Sequence, residues 1–388
     1  MSKTIKEINE KIKNGSVVVM TAEEFTKLAK EKSPSKLADE VDVVTTATFG
    51  PMCSSGAVVN FGHWKPGIRM EEIEVNGVDC YEGLAAVDTY IGATAESRFD
   101  CTYGGANVIQ DLIDGKDVHL HARGKGTDCY PTKEIDTWVN KDTVNEFYLF
   151  NPRNAYQNYA AATNSSDSIL YTYMGCLLPH KNNVTYSTSG ELSPLLNDPY
   201  LRTIGIGTRI FLGGTIGYVV WNGTQFNTMQ ERNSKGIPMG GAATLAVIGN
   251  AKEMSTEYLR AAYYYKYGVS MFVGLGIPIP VLDEDMARHL AISNREIETV
   301  VCDYAQNGHP AIARTNYEQL RSGRIQLDGK AVKTAPLASL SKARQIAKVL
   351  TDWVKSGKFL LTEPVASFPM ESFVRGLSPR QKREEADK

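Results

Sequence analysis

The feature that most constrains the fold is a recurring pattern, a short β-branched or apolar run that closes in a loop of small residues. Val41 to Thr46 leads into Phe49-Gly50-Pro51-Met52-Cys53-Ser54-Ser55-Gly56, and such a run, bounded by Gly and Pro, reads as a buried strand. Val118 to Ala122 leads likewise into Arg123-Gly124-Lys125-Gly126-Thr127-Asp128-Cys129-Tyr130-Pro131. Helical periodicity separates these strands. The chain opens with a helix ending at Gly15, a strand at Val17 to Met20, and a second helix whose Thr21 and Glu24 form a capping box. Gly104 to Asn107 opens the helix Val108 to Ile113, which turns at Asp114-Gly115.

Farther along, Ile204 to Leu212 and Thr215 to Trp221 read as strands paired around Gly213-Gly214, and Ala243 to Ile248 as another. Thr256 to Tyr267 reads as a tyrosine-rich helix, Met271 to Ile279 as a strand, and Asp283 to Ala291 as a helix. Alternating strands and helices predict an α/β fold with a mixed or mostly parallel sheet flanked by helices. At about 150 residues per domain, 388 residues suit two or three domains or one large α/β unit. We expect one large domain over 1–340, including the N-terminal helices of 1–40. A C-terminal segment, 341–388, then holds an amphipathic helix through Lys355 and a charge-dense tail from Arg375.

Charge narrows the partners. With 42 Lys+Arg against 44 Asp+Glu, the formal net charge is −2, so no global field recruits nucleic acid or an anionic membrane. The first residues lack a signal-peptide pattern, and no run approaches the roughly 20 apolar residues of a membrane helix, so a cytoplasmic location is expected. Six cysteines, without CxxC or zinc spacing, read as buried or reactive thiols in a reducing compartment, with no metal site.

Cys53 and Cys129 are the sharpest chemical candidates, because small-residue loops at strand ends can expose and activate a thiol. Arg123 and Lys125 precede Cys129 and favour a thiolate there, with Asp128 opposing them; ordinary buried thiols are the plain alternative. The amides of Ser54, Ser55 and Gly56 would form an anion-binding nest if that loop opened a helix. His63, ten residues after Cys53, is a candidate proton shuttle, with a structural role equally open. His119 and His121 share a strand face but lack a third metal ligand. Asn151-Pro152-Arg153-Asn154 concentrates amide and guanidinium donors, and Arg153 is the natural fork for a small carboxylate; a capped helix start is the competing reading.

Four segments together resemble the homocysteine biosynthesis, sulfur-incorporation family: Thr48 to Gly56 with Asn60-Phe61-Gly62-His63, Gly126 to Pro131, Asn151 to Asn154, and Gly205 to Gly214. The resemblance covers roughly Val17 to Ile297. It implies an aspartate-semialdehyde sulfurtransferase whose two key cysteines correspond to Cys53 and Cys129, so that 1–340 becomes the catalytic sulfur-incorporation domain. Some relatives append a pair of nucleotide-sensing modules, and the segment after Tyr304 is too short to hold them. The implied reaction, aldehyde plus sulfide to primary thiol, consumes two electrons and releases water. No flavin, nicotinamide or iron–sulfur motif is apparent, so a protein dithiol closing to a disulfide is the economical donor, with no tightly bound cofactor. One cysteine would carry sulfur or capture the aldehyde as a thiohemiacetal, and the other would resolve the adduct. An external reductant, by family resemblance a ferredoxin-like protein, would restore the thiols. The expected substrate contacts are Ser54, Ser55, Arg123, Lys125, Arg153 and Asn154, Arg153 and Lys125 serving the carboxylate. Two other readings stay open, a non-catalytic persulfide carrier or scaffold and an acyl-transfer enzyme using Cys and His.

Overall fold

The computed structural model describes residues 2–377, so the tail from 378 onward lies outside the described residues. Two sheets organise the chain. The larger has 14 strands. Its order runs Val19–Thr21, Val43–Pro51, Gly268–Pro280, Arg209–Leu212, Thr215–Asn222, Leu245–Asn250, Glu146–Asn154, Gly56–Asn60, Asp88–Gly92, Val78–Ala85, Glu72–Val75, Val118–Arg123 and Glu134–Val139. Leu259–Tyr264 pairs on the side with Gly268–Pro280. The smaller sheet has six strands, ordered Ala311–Asn316, Glu298–Asp303, Ala161–Thr163, Asn183–Tyr186, Lys330–Pro336 and Arg324–Leu327.

The sheets are mixed, as expected, but not mostly parallel. Among the described residues the parallel pairs are Val19–Thr21 with Val43–Pro51, Ala161–Thr163 with Glu298–Asp303, and Asn183–Tyr186 with Lys330–Pro336. Many neighbours in the larger sheet are joined by short turns instead of helical crossovers, and a short turn permits only an antiparallel pair.

The local rules of the first forty residues hold. Ile5–Asn14 is a helix that ends where Gly15 adopts φ +76°, and Thr21 and Glu24 form both arms of the capping box on Ala22–Leu28. Lys3 and Lys11 reach the Asp42 carboxylate at 3.2 and 2.7 Å, tying the first helix to the strand that follows Asp42. Gly105–Ile113 is helical and Val118–Arg123 a strand. The tyrosine-rich segment read as a helix is instead the strand Leu259–Tyr264, hairpin-paired with Gly268–Pro280. Tyrosines suit a pleated, half-buried surface, and Gly268 at φ +124° makes the turn possible.

The main core lies between the larger sheet and its helices, where Phe25, Phe147, Phe211 and Phe359 are fully enclosed. Leu340–Lys355 lies on the same core. Its Ala347 carbonyl accepts from Thr45 Oγ1 at 3.0 Å, and Trp353 packs 5.2 Å from the Phe211 ring. A second core centred on Tyr317 and Val301 fills the smaller sheet. Among the described residues no helix is long and apolar enough to cross a membrane.

Candidate active site

The strand Val43–Pro51 delivers Cys53 to a cavity of about 330 Å³ at the junction of the two sheets. The turn that carries the thiol is held on three sides. Met52 N donates to Met271 O at 2.7 Å, and Ser55 N closes back on Met52 O at 3.0 Å. Ser54 Oγ donates to Asn151 Oδ1 and to the Arg153 carbonyl, both at 3.2 Å, while Asn151 Nδ2 donates to Ser55 Oγ at 2.8 Å. Asn151 is fully buried, so these bonds operate away from water, where they hold best. Gly56 follows at a place where a Cβ would collide with the Tyr90 ring and the Ile91 carbonyl. This loop opens the strand Gly56–Asn60, not a helix, which removes the helical support the expected anion nest required.

Cys53 is half-buried, with Sγ 3.2 Å from Ser270 Oγ. Burial, together with the charge and hydrogen bond of the neighbouring Cys53, pushes the Tyr267 hydroxyl up to about 12. Tyr267 therefore keeps its proton across the neutral range and stands as a donor beside the thiol. Behind it lies a chain of hydroxyls. Tyr159 donates to Tyr173 at 3.2 Å, and Tyr173 and Tyr304 lie 2.8 Å apart, with the Tyr304 ring stacked on His309 at 4.1 Å. The residues lining the cavity include Arg153 but no His, Asp, Glu or Lys. The titratable or polar side chains beside the Cys53 thiol are thus the Ser270 and Tyr267 hydroxyls.

The expected site residues separate accordingly. Cys53, Ser54 and Arg153 line the cavity. Ser55 is buried beneath the turn, and its hydroxyl is engaged by Asn151. Asn154 is fully buried, its Oδ1 accepting from Ala155 N at 2.6 Å and its Nδ2 without a partner, and it is not on the lining. His63 is exposed and not on the lining. Arg123 pairs with Glu72 at 3.9 Å and Glu134 at 3.4 Å, and Lys125 pairs with Glu71 at 3.4 Å, all outside the cavity.

Cys129 is exposed, and the structure does not place it on the cavity lining. Its loop docks at the opposite end of the strand Gly56–Asn60 from Cys53. At the Cys53 end, Ala93 N donates to Ser55 O at 2.9 Å; at the other, Phe61 N donates to Val87 O at 3.0 Å. Thr132 anchors the Cys129 loop to the segment beyond Asn60, its N donating to Gly67 O at 3.1 Å and its Oγ1 to Pro66 O at 2.8 Å. Strand rise alone sets the two ends about 13 Å apart. All six cysteines are free.

His119 and His121 do share a face, but each Nε2 meets a carboxylate, Asp136 at 2.8 Å and Glu134 at 2.9 Å. No metal-sized cluster of His, Cys, Asp and Glu occurs among the described residues. Sequence reasoning missed Thr188, Ser193, Tyr267 and Ser270. For Tyr267 and Ser270 a signal existed in Tyr267-Gly268, a turn between two runs of strand-forming residues.

A thiol and a guanidinium line one small cavity on a two-sheet α/β scaffold, an arrangement suited to a small-molecule enzyme. The chain belongs to the family of homocysteine biosynthesis enzymes of the sulfur-incorporation type, whose family model matches residues 17–361. It is 51% identical over 381 residues to a protein of Methanocaldococcus jannaschii named L-aspartate semialdehyde sulfurtransferase, covering 94% of this chain and 72% of that one. A protein of the same name from Methanosarcina acetivorans is 49% identical over 385 residues, covering 98% and 75%. A Methanothermobacter thermautotrophicus protein without an assigned function is 28% identical over 337 residues, covering 84% and 73%. No solved structure matches.

Proposed function

We propose that the chain is an L-aspartate semialdehyde sulfurtransferase that makes L-homocysteine, with Cys53 as the thiol that meets the substrate. The observation that supports this most is the presence of Cys53 and Arg153 on one cavity whose volume suits a small amino-acid aldehyde. The names of the two relatives near 50% identity supply the substrate.

The chemistry balances as follows. Hydrogen sulfide adds to the aldehyde, and loss of water leaves a thioaldehyde. The Cys53 thiolate adds to its sulfur while a proton goes to the carbon, giving Cys53–S–S–CH₂R. A second thiol, Cys129, attacks Cys53 Sγ and expels homocysteine thiolate, leaving a Cys53–Cys129 disulfide. The aldehyde carbon gains two electrons and the two cysteines lose two. The hydroxyls of Tyr267 and Tyr173 supply the protons for water loss and for the carbon. Cys129 reaches Cys53 when its loop leaves the Gly67 segment, and its exposure leaves the disulfide open to an external reductant, a ferredoxin-like protein in our proposal. No redox group bound to the chain is needed in this scheme.

The test is turnover. Purified protein given aspartate semialdehyde, sulfide and dithiothreitol should release homocysteine, and Cys53→Ser should release none. A carrier of persulfide for another enzyme would produce no homocysteine alone, and an acyl-transfer enzyme would be indifferent to loss of Cys129.

A further inference from the structure

Among the described residues, eight buried side-chain polar atoms have no hydrogen-bond partner, and three of them belong to residues that line the Cys53 cavity: Arg153 Nε, Thr188 Oγ1 and Ser193 Oγ. Thr188 is 8% exposed and Ser193 2%. Their backbones are fixed, Thr188 N by the Tyr317 hydroxyl at 3.3 Å and Ser193 N by Gly190 O at 2.8 Å; the Thr188 side chain lies beside that same hydroxyl without closing a well-formed hydrogen bond, and Ser193 Oγ has no partner. A buried polar atom without a partner costs stability, and its persistence at one cavity points to a ligand that completes it. The three residues that carry these atoms line the cavity, whose lining holds the single formal charge of Arg153 and no acidic side chain. That inventory matches a carboxylate, which accepts from several donors at once, and gives an ammonium no carboxylate partner.

We propose that Thr188, Ser193 and Arg153 form the subsite for the substrate's carboxylate, and that the enzyme selects its aldehyde by that carboxylate and not by the α-amino group. The inference rests on the reading of Cys53 and the aldehyde given above, and it adds two hydroxyl residues and an order of preference among substrates.

Unreactive alcohols test it by calorimetry on the full chain. L-homoserine carries both groups, 4-hydroxybutyrate lacks the amine, and 3-aminopropan-1-ol lacks the carboxylate. The first two should bind within about tenfold of each other and the third at least about 100-fold more weakly, the range expected when hydrogen bonds to a charged group are lost. Thr188→Val and Ser193→Ala should each weaken the first two by about tenfold and leave the third unchanged. Equal binding of 3-aminopropan-1-ol, no binding of any of the three, or unchanged affinities in both variants would overturn the proposal. The wild-type comparison alone decides the matter should either variant fail to fold. Carboxylate-dependent binding in a protein that makes no homocysteine would sustain the subsite while refuting the sulfurtransferase reading.

Discussion

At the scale of the residue, Cys53 owes its place to its neighbours. Ser54 and Ser55 were expected to touch substrate, but their hydroxyls are taken up by Asn151 and the Arg153 carbonyl, so they orient the turn that presents the thiol. The small-residue loop thus brings Cys53 and Ser54 to the cavity lining and leaves Ser55 buried beneath the turn. Arg153 was legible because a guanidinium next to Asn-rich sequence has few structural uses, whereas Thr188 and Ser193 were not, since nothing in Ser187-Thr188-Ser189 tells a satisfied hydroxyl from an orphaned one. The order of the two thiols is open to experiment at this scale. With substrate and sulfide, Cys129→Ser should accumulate homocysteine as a mixed disulfide on Cys53, visible as a mass increase on that peptide, and turnover should fall by about 10³ or more. Cys53→Ser should show no adduct on Cys129. An adduct on Cys129 in the Cys53→Ser protein would reverse their assigned roles.

Among elements, those with strong local signals were legible: the Thr21–Glu24 capping box, the glycine ending of the first helix and the periodic helix Gly105–Ile113. The segment from Thr256 to Tyr267 was not, because a dozen residues without Gly or Pro permit a helix as well as a strand, and pairing with the long strand Gly268–Pro280 decides between them. The short helix Glu284–Leu290 carries a pH-sensitive tie. Its N-cap, Asp283, accepts from Met286 N at 2.8 Å and is gripped by the two forks of Arg202 at 3.1 and 2.6 Å. The Arg202 hydrogen bonds hold the Asp283 carboxyl at about 2, below its ordinary value near 3.9. A depressed folded-state value stabilises the fold above about pH 4, and that contribution is lost as pH falls through about 2. Asp283→Asn keeps the capping oxygen and removes the charge. The variant should be less stable than wild type at pH 7, with the gap narrowing between pH 4 and 2 in urea titrations. A gap independent of pH would show that the ion pair contributes nothing.

For the whole molecule, the alternation of strands and helices announced an α/β architecture, but the order of the strands was beyond reach. Gly56–Asn60 sits between Glu146–Asn154 and Asp88–Gly92, neighbours about 90 and 30 residues away, and no periodicity encodes such pairings. The same topology sets the Cys53 and Cys129 loops at opposite ends of one strand. The two-thiol scheme accordingly requires the Cys129 loop to give up the Thr132 hydrogen bonds to Gly67 and Pro66. Mild oxidation with diamide should yield a peptide linking Cys53 to Cys129 in a species that migrates as a monomer without reductant. Exclusive formation of a covalent dimer would mean that the second thiol comes from another copy.

The cavity's dispersed origin has a further consequence for how the chain matures. Its walls are drawn from stretches near positions 50, 155, 174, 190, 267 and 337, which converge only once both sheets have closed upon each other. Contacts of such wide sequence separation form late. A nascent or half-folded copy therefore displays Cys53 as an ordinary thiol with no guanidinium or hydroxyl partners around it, and a small molecule gains a binding place beside that thiol only in the finished molecule.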